Sequence, residues 1–201
     1  MRVIAGIFRG RLLESPPGQS TRPITDRVKE TLFNILGHRL ALPGTLPEVE
    51  VLDLFCGPGS LGIEALSRGA RACTFVERDR QALLALRHNL ARLGLEPTCT
   101  VMTDNAWTMR PLSPPGRFGL IFVDPPYRDT QDPLRVVDLL ERLAPSLAAD
   151  GLMVLRLSAQ AAVPPPGGLR LLRYVDQRRT GRMQLLLLAR TDWPAATADD
   201  Q

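Results

Sequence analysis

Apolar positions along the chain follow two alternating patterns. Apolar runs of strand length occupy residues 49–55, 72–77, 99–102, 118–123 and 151–157. They are near-continuous, as expected of strands covered on both faces of a parallel sheet. Between them, apolar residues recur three and four apart. Leu61, Ala65 and Leu66 mark a helix over residues 60–67. Leu83, Leu84, Leu86 and Leu90 mark one over 80–93, which Gly94 stops. Val137, Leu140 and Leu143 give the inward side of a helix over 133–147, and residues 107–112 read as a short helical turn. Strand–helix alternation of this kind predicts an α/β domain. The last two strands, 169–175 and 183–189, have no helix between them and should pair antiparallel at the sheet edge.

Upstream of residue 49 the pattern changes. Residues 1–13 read as two short strands around Gly6 and Gly10, too small to stand without docking on something larger. Thr25 is a suitable N-cap for a helix running to about Gly37, with Asp26 in its first turn. Val28, Leu32, Ile35 and Leu36 form its apolar stripe, with Phe33 at the edge and Arg27 and Lys29 off it. A Pro- and Gly-bearing linker at 43–47 then divides the chain. The expected organisation is an extension at 1–44, an α/β domain at 45–191 and a frayed tail at 192–201.

Composition sharpens this picture in a few places. The 201 residues are 44% apolar but only 5% aromatic, so aliphatic side chains must fill the core. Residues 1–40 carry the whole formal net charge of +4, and six arginines face Asp176 alone between Arg170 and Arg190. Positive charge confined to the two ends of the chain points to a polyanionic partner. Cys56, Cys73 and Cys99 are far apart, with no paired-cysteine or clustered-histidine spacing. That predicts no metal site and no disulfide framework, and it fits a reducing compartment. No apolar run approaches the roughly 20 residues that span a bilayer, and the first residues lack a signal-peptide core. A cytoplasmic, membrane-free monomer is the expectation.

Two loops carry the candidate chemistry. The strand ending at residue 55 leads into Gly57-x-Gly59-x-x-Gly62, close in form to a dinucleotide-binding loop. Asp53 stands at its entrance, where it would repel a pyrophosphate, and Pro58 withholds a backbone N–H. An acid there suits a ligand with ammonium and sulfonium centres, so S-adenosylmethionine is favoured over NAD. Cys56, Gly57 and Gly59 belong to this loop, and N–H groups at the helix starting at Ser60 suit a carboxylate. Glu77, followed by Arg78, ends the second strand where an acid can accept from a ribose diol. Asn105, with Ala106, follows the third strand on the adenine side, with Asp104 as its competitor.

Asp124-Pro125-Pro126-Tyr127 follows the fourth strand. An exocyclic base amine is a weak nucleophile because its lone pair is delocalised into the ring. The Asp124 carboxylate and the Pro125 carbonyl are two acceptors able to hold its hydrogens and stabilise developing positive charge. The prolines stiffen the loop, and Tyr127 offers a face for stacking. The plainer reading is a proline turn ending a strand, with Tyr127 packed on the core.

Taken together these residues resemble the bacterial small-subunit ribosomal RNA guanine-N2 methyltransferases of the RsmD family. The resemblance runs through residues 1–6, 9–11 and 22–36, then 53–70, 75–77, 105–106 and 124–127. It implies a Rossmann-like S-adenosylmethionine-dependent methyltransferase fold: a mostly parallel seven-stranded sheet with an antiparallel C-terminal edge and a small N-terminal hairpin-helix extension. It implies methyl transfer to N2 of one guanine in 16S ribosomal RNA, free or within a small-subunit assembly intermediate. Asp53 and the Gly57–Gly59 loop would line the methionine and ribose side. Glu77 would take the ribose hydroxyls, Asn105 and Ala106 would lie by the adenine, and residues 124–127 would hold the guanine. Arg9, Arg11, Arg22, Arg27, Lys29 and Arg182 would then extend a basic face to the RNA. Two positions depart from the family pattern. Cys56-Gly57-Pro58-Gly59 replaces a more usual Ala-Gly-Ser-Gly, and Arg156 replaces an acid near the end of the fifth strand. Neither is expected to touch the amine site. An adenine-N6 methyltransferase and a non-catalytic RNA-binding assembly factor are the competing readings.

Overall fold

The computed structural model describes residues 1–16, 24–40, 44–112 and 114–192. Seven strands form one sheet: β1 (Glu50–Leu54), β2 (Ala72–Glu77), β3 (Cys99–Thr103), β4 (Phe118–Val123), β5 (Leu147–Ser158), β6 (Leu172–Thr180) and β7 (Met183–Arg190). Their spatial order is β3-β2-β1-β4-β5-β7-β6. The first five pair in parallel, and β7 inserts antiparallel between β5 and β6. Four helices accompany them: α1 (Asp26–Arg39), α2 (Ser60–Ser67), α3 (Arg80–Leu93) and α4 (Pro133–Leu143).

Strand alternation sorts the core into two layers. Val51, Phe75, Leu120, Phe122 and Val154 project to one face, where Leu32 of α1, Ile63 of α2 and Leu86 of α3 meet them. Leu52, Val76, Ile121, Val123 and Leu155 project to the other, covered by Val136, Leu139, Leu140 and Leu143 of α4 and by Trp107 and Met109. No helix among the described residues is long and apolar enough to cross a membrane.

Local chemistry sets the helix ends. The Thr25 hydroxyl caps α1 by accepting from the Val28 N–H, and the Asp79 carboxylate caps α3 by accepting from Ala82 N–H at 2.8 Å. Gly94 ends α3 in the left-handed conformation. The fourth helix stops at Leu143, before the expected 147, because Pro145 has no N–H to continue the ladder. Leu140 and Leu143 are buried as expected, but Val137 is only partly buried, and Val136 and Leu139 complete the inward stripe. The expected short helical turn is confined to residues 105–109, where the Asn105 carbonyl accepts from the Thr108 and Met109 N–H groups, and 110–112 are irregular. At the far edge, β6 runs on through the arginine-rich stretch to Thr180, and Gly181 (φ 57°) with Arg182 makes a two-residue hairpin turn. Polar side chains on this edge strand discourage pairing with another sheet.

The N-terminal residues form one antiparallel bridge, Arg2 to Leu12, around a turn, rather than two strands. They are docked by side chains of the α/β domain. Glu64, fully buried in α2, accepts from the Ile4 N–H (2.9 Å) and Ala5 N–H (3.0 Å), and from Arg68 Nε (2.9 Å) and Lys29 Nζ (3.4 Å). Lys29 Nζ also donates to the Arg2 carbonyl. The buried stripe of α1 therefore centres on Val28, Lys29, Leu32, Phe33 and Leu36, with Ile35 at its margin. This corrects the expectation that Lys29 faces RNA: it is 0% exposed and is consumed by Glu64. Burial lowers its pKa, opposed by the Glu64 carboxylate.

Candidate active site

The site lies at the carboxyl ends of β1, β2 and β4, the edge at which open α/β sheets bind ligands. Register aligns its acids. Asp53 pairs with Phe75 on one side and Phe122 on the other, and Leu54 pairs with Val76 and Val123. Glu77 closes β2 and Asp124 follows β4 directly. The loop after β1 is stitched across this edge. Gly57 N–H donates to Glu77 Oε2 at 2.9 Å, Gly59 N–H returns to the Cys56 carbonyl, and Glu77 Oε1 accepts from the Arg78 and Asp79 N–H groups. Phe55, at the turn out of β1, takes φ 58°, a conformation bulky residues avoid. Its ring packs 5.1 Å from that of Trp107.

Both loop glycines are left-handed, for different reasons. A side chain at Gly59 (φ 88°) would sit 2.5 Å from Leu86 Cδ1, so that glycine packs the loop onto α3. A side chain at Gly57 (φ 55°) would meet nothing within 4 Å, because this part of the loop borders open space. The missing N–H of Pro58 leaves the turn intact, and the Pro58 carbonyl accepts from Asn89 Nδ2 at 3.1 Å. The same buried Asn89 brackets Glu14 through its N–H and carbonyl, tying the N-terminal segment to the loop.

Asp53 is almost completely buried, and its Oδ2 accepts from the Gly62 N–H at 2.8 Å. Among the described residues its Oδ1 has no hydrogen-bond partner, and neither has the buried Ser60 hydroxyl. Burial pushes the Asp53 carboxyl up to about 8; the Gly62 N–H opposes this and the neighbouring Asp124 and Glu77 charges add to it. A buried acceptor without a donor costs about 1–3 kcal/mol, a cost that a cationic group bound at Asp53 would offset. The residues present thus fit S-adenosylmethionine: an unpaired acid for an ammonium, an open glycine and a strand-end Glu77. Below pH 8 Asp53 must lose its proton to accept an ammonium. Binding of S-adenosylhomocysteine near pH 6.5 should therefore release about one proton, measurable by calorimetry in buffers of different ionisation enthalpy. Asp53→Asn should abolish that release and weaken binding about tenfold or more; unchanged release would show that Asp53 is not the titrating group.

On the amine side, Pro125 is buried, while Asp124, Pro126 and Tyr127 are half-buried. The Tyr127 carbonyl accepts from Thr130 N–H and Oγ1, and its hydroxyl donates to Met183 Sδ, anchoring the loop against β7. Asp124 is not open to solvent on all sides. Arg156 Nε and Nη2 donate to its Oδ1 and Oδ2 at 2.6 and 2.5 Å. This overturns the expectation that the departure at 156 leaves the amine site untouched. Val123 pairs with Leu155, so Asp124 and Arg156 occupy the next step of the same register. That register was the signal available in the sequence, and it needed the strand order to be read.

Other predicted residues fall in different settings. Asn105 is half-buried and its Oδ1 accepts from Trp107 N–H at 3.2 Å; Asp104 is exposed and accepts from Asn105 N–H at 2.6 Å; Ala106 is buried. Cys56 is buried, and burial raises its thiol pKa well above the ordinary value. The Arg78 side chain, Arg9, Arg11, Arg27 and Arg182 are exposed, and Arg22 lies outside the described residues. Among the described residues no group of three or more His, Cys, Asp or Glu is placed to hold a metal.

Strand order, glycine loop and strand-end acids together define the class of Rossmann-like S-adenosylmethionine-dependent methyltransferases. Within it, the chain belongs to the family described as Conserved hypothetical protein 95, whose pattern matches residues 1–189. It is 37% identical over 170 residues to YlbH of Bacillus subtilis, covering 84% of this chain and 88% of that one. It is 41% identical over 129 residues to ribosomal RNA small subunit methyltransferase D of Escherichia coli K12, covering 64% of this chain and 61% of the relative. Among solved structures, yhhF of Escherichia coli superposes with a TM-score of 0.70 at 33% identity, over 94% of this chain and 97% of that one.

Proposed function

We propose that this chain transfers a methyl group to the exocyclic N2 amine of a guanine in 16S ribosomal RNA. The observation that carries it is the convergence of Asp53, Glu77 and the Asp124–Tyr127 loop on three adjacent strand ends. The likeness to ribosomal RNA small subunit methyltransferase D supports the choice of ribosomal RNA, while the choice of guanine N2 follows the family resemblance in the sequence. Asp53, Gly57 and Glu77 would hold S-adenosylmethionine, with Asn105 and Ala106 beside the adenine. When bound, that cofactor supplies an electrophilic methyl group.

The chain's own residues prepare the amine. The Asp124 carboxylate and the Pro125 carbonyl accept its two hydrogens and fix its lone pair toward the donor, while Tyr127 offers a stacking face. A guanine reaches this half-buried loop only by leaving its stack. Residues 1–44 with Arg9, Arg11, Arg22 and Arg27, and Arg182 at the β6–β7 turn, would supply phosphate contacts. Deleting the gene should leave one guanine of small-subunit RNA unmethylated, and purified protein with S-adenosylmethionine should restore it. Transfer to DNA adenine alone would overturn the guanine assignment.

A further inference from the structure

Arg156 is a charged side chain placed inside the sheet. It lies in β5 between β4 and β7, opposite Leu185, and is 7% exposed. It follows Val154 on the sheet face where α1, α2 and α3 pack, and register carries Asp124 onto the same face. Its Nε and Nη2 meet both oxygens of Asp124 side-on. Its Nη1 is buried and donates to nothing among the described residues.

These facts separate a functional pair from a stabilising one. A buried ion pair contributes little net stability, because removing two charges from water offsets their attraction. An unpaired buried donor makes the balance worse. An apolar residue at 156 would share its sheet face with Val154, Leu185 and Leu187 at no such cost. What the arginine does supply is geometry. A bidentate guanidinium fixes the plane and both oxygens of a carboxylate, which a lysine or a single hydrogen bond cannot do. Among the described residues the Asp124 carboxylate has no other hydrogen-bond partner, and the tie of its N–H to the Leu54 carbonyl is long, at 3.5 Å.

We propose that Arg156 is the positioning residue for Asp124, an inference that rests on the methyl-transfer function above. It clamps the carboxylate from the sheet side, so that the remaining lone pairs face the base. A carboxylate held this way by a cation is an acceptor that orients the amine, and the amine proton leaves to solvent once the new N–C bond has formed. Positioning by an arginine also means that residue 156, which never touches the base, sets how strictly the amine is aligned.

The test uses the full chain with small-subunit particles from the deletion strain. It compares native protein, Arg156→Leu, Arg156→Lys, Asp124→Asn and the double variant Asp124→Asn/Arg156→Leu. Turnover, KM for the particle, affinity for S-adenosylhomocysteine and thermal midpoint are measured for each. Arg156→Leu should lower kcat about a hundredfold, the effect expected of a small misplacement of a reacting group. KM and cofactor affinity should stay within about threefold. Arg156→Lys should recover part of the loss, because the charge is kept and the fork is not, and it serves as the folded comparison if the leucine variant melts early. In the Asp124→Asn background Arg156→Leu should add less than about threefold, as residues acting through one another are non-additive. Native-like kcat in Arg156→Leu would overturn the proposal, and so would losses that multiply in the double variant. Native protein that transfers nothing would remove the parent function and this inference together, an outcome distinct from a failure at 156 alone.

Discussion

Asp124→Ala is expected to lower methyl transfer by about a hundred- to a thousandfold, the usual consequence of deleting a group that stabilises developing charge. The acceptor for the amine hydrogens disappears, while Asp53, Glu77 and the exposed arginines remain, so cofactor and RNA affinities should change little. The structure adds a second consequence. Arg156 would be left as a buried guanidinium without its paired carboxylate, a situation costing about 3–5 kcal/mol. The alanine variant should therefore melt earlier as well as turn over slowly. Asp124→Asn separates the two effects: it keeps an oxygen for Arg156, and should lose most turnover with a smaller drop in thermal midpoint. Near-native turnover in either variant would remove Asp124 from the mechanism.

Glu64→Ala should be the most destabilising single change at the junction of the N-terminal segment and the α/β domain. One carboxylate satisfies the N–H groups of Ile4 and Ala5 and neutralises Lys29 and Arg68, and Glu64 and both cations are buried. Removing it strands two cations and two backbone donors. A loss of about 3–5 kcal/mol corresponds to a fall of roughly 6–20 °C in thermal midpoint for a chain of this size. Lys29→Met added to Glu64→Gln should recover part of that loss, since an apolar side chain replaces the stranded ammonium. Circular dichroism melts measure both, and a shift under about 2 °C for Glu64→Ala would mean that other contacts dock the segment.

What was legible in the sequence is what local pattern determines. The elements Ser60–Ser67, Ala72–Glu77, Arg80–Leu93 and Phe118–Val123 lie where the periodicity puts them. The glycine loop and the acids at strand ends were equally visible, since each follows an apolar run directly. Partners distant in sequence were not legible. Glu64 reads as an ordinary helical acid until residues 4 and 5 are seen above it. Lys29 reads as solvated until Glu64 is placed opposite. Asn89, on the inner side of α3, gives no hint that it brackets Glu14 and Pro58. Arg156 reads as an oddity in an apolar strand until β4 and β5 are set side by side.

The place of β7 in the sheet has a consequence for how the protein is made. β6 is synthesised before β7 yet cannot join the sheet directly, because β7 lies between it and β5. Until residue 183 has emerged, β5 has an open edge, Arg156 lacks the strand that shields it, and Tyr127 lacks Met183. A growing chain thus carries every proposed cofactor-binding residue long before the proposed amine loop is anchored. The last strand to be translated is the one that covers Arg156 and anchors Tyr127.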